Sequence, residues 1–251
     1  MNVDVYLARP DEHLDPRTAT RYDAEVAERF TPGEIEPAVS LLTELAGAGT
    51  AVEFAIGTGR LALPLVRAGV YVRGIDFSEP MVAELRKKPG GETIPVTIGD
   101  MTQTKVCDDA TLVYLVFNTI QNLRSQQQQV ACFRNAAAHL TAGGCFVIEN
   151  MMPELQRLAP GESIVPFDVS AHHLGFDEYI DQRAQILVSH HYFISGNAVR
   201  TLSGAMRYVW PSELDLMAEL AGMTLDQRFA DWHRTPFTDV STAHVSIYRK
   251  R

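Results

Sequence analysis

The sequence predicts an α/β protein with a Rossmann-like parallel sheet, interrupted late in the chain by a small antiparallel sheet. Three observations predict it. Between about residues 51 and 149, short apolar runs alternate with stretches of helical length, the mark of strands joined by single crossover helices. A glycine turn, Gly57-Thr58-Gly59, follows directly on the first of those strands. From about residue 177 to 208 the pattern changes to strand-like runs with no helix between them.

Residues 1–14 show no periodicity and are expected to form a loose arm. Asp15-Pro16 has the form of an N-cap followed by proline in the first turn, and Tyr22, Val26 and Phe30 continue with helical spacing. A second helix is expected over 34–46, with Leu41, Leu42 and Leu45 inward, ended by Gly47 and Gly49. Residues 51–56 form the first strand, the glycine turn leads into a helix over 60–68, and 70–75 is the second strand. Ser78 can cap a helix over 79–88, because Pro80 is tolerated in a first turn. Residues 94–98 form the third strand. The unbroken apolar run 110–117 suits a central parallel strand buried on both faces. Ser125 and Gln128 have capping-box spacing for a helix over 126–140, and Gly143-Gly144 precedes a strand over 145–149.

Residues 150–166, rich in Pro and Met, read as loop. Stretches 178–180, 185–193 and 199–209 read as strands, the last two joined by the turn signal Ser195-Gly196-Asn197. Trp210-Pro211-Ser212 opens a helix to Ala221, and 225–230 and 244–248 are closing strands. The chain thus divides into N-terminal helices and a ligand-binding core over 1–150, an inserted antiparallel β lid over 151–208, and a C-terminal completion of the core sheet over 209–251.

Composition narrows the function. The 251 residues carry a net charge of −9, which would repel a nucleic acid unless a strong local basic patch opposed it. The only dense basic clusters, Arg86-Lys87-Lys88 and Arg249-Lys250-Arg251, are short, so no nucleic-acid partner is expected. Cys107, Cys132 and Cys145 lack metal-ligand or disulfide spacing, and no metal is expected. No apolar run approaches the ~20 residues that span a bilayer. The expected protein is soluble and cytoplasmic, with no membrane partner; a homodimer is among the assemblies the sequence permits.

The motif Glu53-Phe-Ala-Ile-Gly-Thr-Gly-Arg60 sits at the end of the first strand, where open α/β sheets bind ligands. Gly57 and Gly59 let the turn reverse and bring backbone N–H groups close to a ligand. Asp76 ends the second strand, where a carboxylate can accept both ribose hydroxyls of an adenosine; its removal is expected to weaken binding with little effect on folding. The same spacing satisfies the dinucleotide fingerprint, so an NAD(P)-dependent oxidoreductase is an alternative. Three features oppose it. Glu53 suits an ammonium and would repel a pyrophosphate. Gly99-Asp100-Met101 offers an acid for the exocyclic amine of adenine. A second nucleotide-binding half is missing. Acids at three strand ends describe a ligand made of an amino acid, a ribose and an adenine, which is S-adenosylmethionine.

These runs, with Gly74-Ile-Asp-Phe-Ser-Glu-Pro-Met81 and His139-Leu-Thr-Ala-Gly-Gly144, resemble class I S-adenosylmethionine methyltransferases. The likeness covers about Tyr22 to Arg251. It is greatest to actinobacterial-type small-molecule methyltransferases related to amino-sugar N-methyltransferases and glycine N-methyltransferase. The resemblance implies a seven-stranded sheet with its last strand antiparallel. It implies Asp76 on the ribose, Phe77 and Met81 against adenine, Asp100 and Met101 near its amine, and Arg60 on the methionine carboxylate. It also implies Phe117 and Asn118 beside the methionine moiety and Tyr22 closing over the cofactor. Ala55 departs from the pattern, standing where many relatives have glycine.

The acceptor is expected to be a small molecule, bound beyond the run Phe117-Asn-Thr-Ile-Gln-Asn122 and under the lid. The lid supplies His172, His173, His190, His191, Tyr192 and Arg207, with Tyr192 and Arg207 expected to touch the acceptor. Strand alternation sends His190 and His191 to opposite faces, so at most one faces the pocket. Asn118, His190 and His191 are the candidate catalytic residues, although nothing within residues 117–122 is forced to act as a base. A non-catalytic module that binds S-adenosylmethionine is a further alternative.

Overall fold

The protein is described from a computed structural model that covers residues 14–251. All but the last residue of the expected N-terminal arm lies outside the described residues. In chain order the elements are α1 (Pro16–Glu25), α2 (Pro32–Ala46), β1 (Thr50–Phe54), α3 (Ala62–Arg67), β2 (Tyr71–Asp76), α4 (Glu79–Arg86), β3 (Val96–Ile98), β4 (Ala110–Leu115), α5 (Gln126–His139) and β5 (Leu140–Met151). They continue with β6 (Ile164–Val169), β7 (His173–Asp181), β8 (Ile186–Ser195), β9 (Ala198–Arg207), α6 (Pro211–Leu220), β10 (Met223–Phe229) and β11 (Ala243–Lys250).

Seven strands form one sheet in the order β10-β11-β5-β4-β1-β2-β3. β1 to β5 run parallel, and β11 lies antiparallel between β5 and β10. Alternate strand residues serve opposite cores. Ala51, Leu112, Tyr114 and Val147 pack with Leu41, Leu42 and Leu65 on one face. Val52, Phe54, Val113 and Phe146 pack with Phe133, Leu214 and Met217 on the other. The strand order reverses between β1 and β4, so a crevice opens beyond their carboxyl ends. The four antiparallel strands β6-β7-β8-β9 form the separate sheet expected of the insert.

The departures have local causes. The first helix stops at Val26, whose φ of −118° and ψ of 33° break the α pattern, and Ala27–Phe30 continues as a 3-10 turn. The second helix begins two residues early, at Pro32, and contains Pro37. β5 exceeds the expected 145–149 at both ends, starting at Leu140, which pairs with Ala110 of β4, and reaching Met151, which pairs with Ala243 of β11. The insert has a strand, β6, in the stretch read as loop. It is an edge strand, bulged between Pro166 and Asp168, with only Val165 buried, so alternation hardly shows.

Candidate active site

The turn after β1 needs left-handed backbone at Ala55 (φ 53°), Gly57 (φ 53°) and Gly59 (φ 80°). A Cβ on Gly59 would lie 2.4 Å from Leu85 Cδ1, so close packing as well as φ demands glycine there. Ala55 holds the strained conformation without that freedom. Asp76, at the end of β2, is buried. Its Oδ2 accepts from Gly57 N (2.6 Å) and its Oδ1 from Ser78 N (2.8 Å). The acid thus fixes the glycine turn and the start of α4, which Ser78 caps through Met81 N. From the other side Thr58 donates to Asp23 of α1 (2.6 Å), and Lys88 pairs with the same carboxylate. Burial pushes the Tyr22 phenol up to about 12, with Arg60 opposing and Asp23 and Asp76 adding to it. The ring therefore sits within the electrostatic reach of all three.

Glu53 is more enclosed than the sequence suggests. Its carboxyl lies inside the fold, accepting from Tyr114 Oη at 2.9 Å, and does not stand open at the strand end. Burial pushes it up to about 8, Tyr114 and Arg60 pulling down and Asp76 pushing up. Folding therefore favours its protonated form. The stability tied to this group is complete below the ordinary value of 4.5 and is lost as pH rises through about 8. Urea unfolding should show wild type losing stability relative to Glu53→Gln as pH goes from 5 to 8.5. A constant difference between the two proteins across that range would contradict the assignment.

At the end of β4, Phe117 (φ 57°) and Asn118 (φ 59°) are both left-handed, an unusual pair for residues other than glycine. β5 holds them. Phe117 N donates to Glu149 Oε2 (2.7 Å), Asn118 N to Glu149 O (3.3 Å), and Met151 N to Asn118 Oδ1 (2.7 Å). Glu149 Oε1 accepts from Trp232 Nε1 at 2.7 Å. The Phe117 ring meets two guanidinium groups, Arg60 at 5.4 Å and Arg29 at 5.5 Å. Arg60 Nη2 is buried without a hydrogen-bond partner, 3.9 Å from Glu149 Oε2.

Residues 51–144 match the methyltransferase domain family. The CcbJ methyltransferase from Streptomyces caelestis is 34% identical, with 88% of this chain and 97% of that chain covered at a TM-score of 0.79. The chain belongs to the class I S-adenosylmethionine-dependent methyltransferases. Two more distant structures share the methyltransferase fold. An S-adenosylmethionine-dependent methyltransferase from Clostridium acetobutylicum is 11% identical, covering 93% and 98% of the two chains at TM-score 0.73. The amino pentose methyltransferase CalS10 from Micromonospora echinaspora is 16% identical, covering 91% and 96% at TM-score 0.69. No curated protein matches the sequence.

The residues of this methyltransferase fit its cofactor. Arg60 Nη2 is an orphaned buried donor suited to a carboxylate. Asp76 ends β2 at the crevice, where a carboxylate can accept from a ribose hydroxyl. Phe77 is 46% exposed beside Asp76 and offers an apolar face, whereas Met81 is buried, its methyl 3.5 Å from the Cβ that Gly57 lacks. Asp100 is exposed and accepts from Thr102 N at 2.8 Å. Asn135 braces this loop by donating to Met101 O (2.9 Å) and Thr104 O (2.8 Å).

The two lid histidines face opposite ways. His191 lies with His173, Phe167 and Phe193, its nitrogens meeting His173 Nε2 (3.1 Å) and Ser189 Oγ (3.3 Å). Burial holds it down at about 4, helped by His173, His190 and Arg200. His190 stacks on Phe176, with Nδ1 3.0 Å from Ser203 Oγ and Nε2 3.4 Å from Glu178 Oε2. His172 is exposed. Arg207 does not face an acceptor; it is buried against Gln185, Gln129 and Glu213. A cleft of about 650 Å³ along Gly47, Thr111, Thr141 and Arg249 lies at the opposite, amino end of the strands, away from this chemistry.

Glu149 and Trp232 were not singled out from the sequence. The available signal was an acid at the carboxyl end of an apolar strand, the argument applied to Asn118 one strand away.

Proposed function

We propose that this methyltransferase transfers the cofactor's methyl group to a nitrogen, oxygen or carbon of a small-molecule acceptor, bound between the lid and the mouth of β4. The observation that carries this reading is the attachment of the lid. β9 lies against the turn Thr119–Asn122 that follows Asn118. Arg124 Nε donates to Ala205 O (3.2 Å), and Arg200 pairs with Glu25 of α1. A roof tied to both sides of the site favours a small acceptor over a polymer.

The bound cofactor supplies a sulfonium methyl for in-line displacement. The protein contributes alignment, worth ~7–11 kcal/mol in favourable cases. Phe117 and Asn118 shape the approach, Asn118 by geometry, since its Oδ1 is taken by Met151 N. His191, held at about 4, is neutral near pH 7 and a weak base.

The test incubates the enzyme with methyl-labelled cofactor and a metabolite pool, followed by mass identification of the product. Label confined to protein or nucleic acid would overturn the proposal. With the acceptor in hand, His172, His173, His190 and His191 changed singly to Gln should each lower kcat less than about tenfold, ~1.4 kcal/mol. A loss of ~10³-fold at one of them would establish general-base catalysis and favour a hydroxyl or carbon acid over a free amine as acceptor.

A further inference from the structure

Two adjacent residues, Phe117 and Asn118, are left-handed, a conformation that Asn adopts readily but that a bulky Phe resists. Such strain persists only where the surroundings over-determine it, and it gathers at functional sites. Two side chains outside the pair hold it: Thr119 Oγ1 donates to Phe117 O at a long 3.5 Å, and Glu149 Oε2 accepts from Phe117 N at 2.7 Å, the shorter and charge-assisted bond. The other oxygen of the same carboxylate accepts from Trp232 Nε1 at 2.7 Å, and Trp232 belongs to the main core. Glu149 therefore ties a strained turn to a fixed point. Phe117 then lies against Arg60, whose Nη2 has no hydrogen-bond partner and stands 3.9 Å from the same Glu149 Oε2, and against Arg29, from the segment that follows α1.

We infer that Glu149 is a positioning residue for the cofactor: by accepting from Phe117 N it holds the Phe117–Asn118 turn, and through the Phe117 ring it sets Arg60 for the methionine carboxylate. Trp232 fixes the carboxylate and has no direct part in binding. The role is independent of the acceptor's identity.

The test is calorimetric titration with S-adenosylhomocysteine, alongside thermal unfolding. Binding by wild type checks the cofactor assignment separately. Glu149→Leu removes both acceptors and should weaken binding about tenfold or more, ~1.4 kcal/mol. Trp232→Phe leaves the bond to Phe117 N in place; it should lower Tm while affinity stays within about threefold. Glu149→Gln in the Trp232→Phe background frees the amide oxygen to accept from Phe117 N, and affinity should stay close to that of Trp232→Phe alone. That rescue separates positioning from a structural role and remains readable if Glu149→Leu fails to fold. The inference is overturned if Glu149→Leu binds within twofold of wild type. It is equally overturned if Trp232→Phe alone weakens binding tenfold, or if the double variant binds tenfold more weakly than Trp232→Phe.

Discussion

Asp76→Ala should weaken cofactor binding by about 1.5–3 kcal/mol, roughly ten- to a hundredfold, and should destabilise the fold as well. The first effect follows from position, because the carboxylate ends β2 at the crevice, where a ribose hydroxyl can donate to it. The second follows from what those oxygens already hold. Gly57 N and Ser78 N both donate to Asp76, and alanine leaves two N–H groups without an acceptor. Each such group costs about 1–3 kcal/mol when buried. The sequence reading expected folding to be nearly untouched, since it saw the ligand side of the carboxylate and not the backbone side. Asp76→Asn retains one acceptor and should fall between wild type and Asp76→Ala in both measurements. Calorimetry with S-adenosylhomocysteine and urea unfolding read the two effects separately. Affinity for Asp76→Ala within twofold of wild type would show that β2 does not deliver the ribose acid.

The double duty of Asp76 illustrates how far the sequence could be read. The alternation of strands and helices and the glycine turn were legible because each depends on local chemistry. An unbroken apolar run marks β4, and a glycine turn marks a backbone that other residues resist. The acids at the ends of β2 and β3 stand out because they follow apolar strands, although each also accepts from local backbone N–H groups. Partners contributed by distant segments were not legible. Glu53 looks open until Tyr114, 61 residues away, is seen to cover it. Glu149 gains meaning only when Trp232, 83 residues on, meets it. Strand alternation placed His190 and His191 on opposite faces, yet it could not say what each face would meet. β6 escaped notice because a bulged, proline-bearing edge strand lacks the alternation by which strands are recognised.

Arg207 was misread for the same reason, and its replacement should have one of the largest effects on stability. Arg207→Ala should destabilise the protein by about 3–5 kcal/mol, the range for breaking a buried ion pair by removing one partner. The guanidinium donates to Gln185 Oε1 (2.6 Å), Glu213 Oε1 (2.6 Å) and Gln129 Oε1, while Gln129 Nε2 returns a bond to Arg207 O at 3.1 Å. These bonds join the end of β9 to α5 and α6, so the lid is anchored through them. Alanine strands the fully buried Gln129 oxygen and removes the countercharge of Glu213. Burial pushes the Glu213 carboxyl up, but donation from Gln185, Arg207 and Gln126 outweighs it and leaves the group below its ordinary 4.5. The stability tied to this carboxylate is therefore present above pH 4.5 and is lost as pH falls through the lowered value. The gap between wild type and Arg207→Ala in urea unfolding should accordingly be widest near neutral pH and narrow in acid. Arg207→Met paired with Glu213→Met should be less damaging than Arg207→Met alone, because the stranded charge goes with its partner. A destabilisation under 1 kcal/mol, together with a raised KM for the acceptor, would return Arg207 to the acceptor-facing role first read from the sequence.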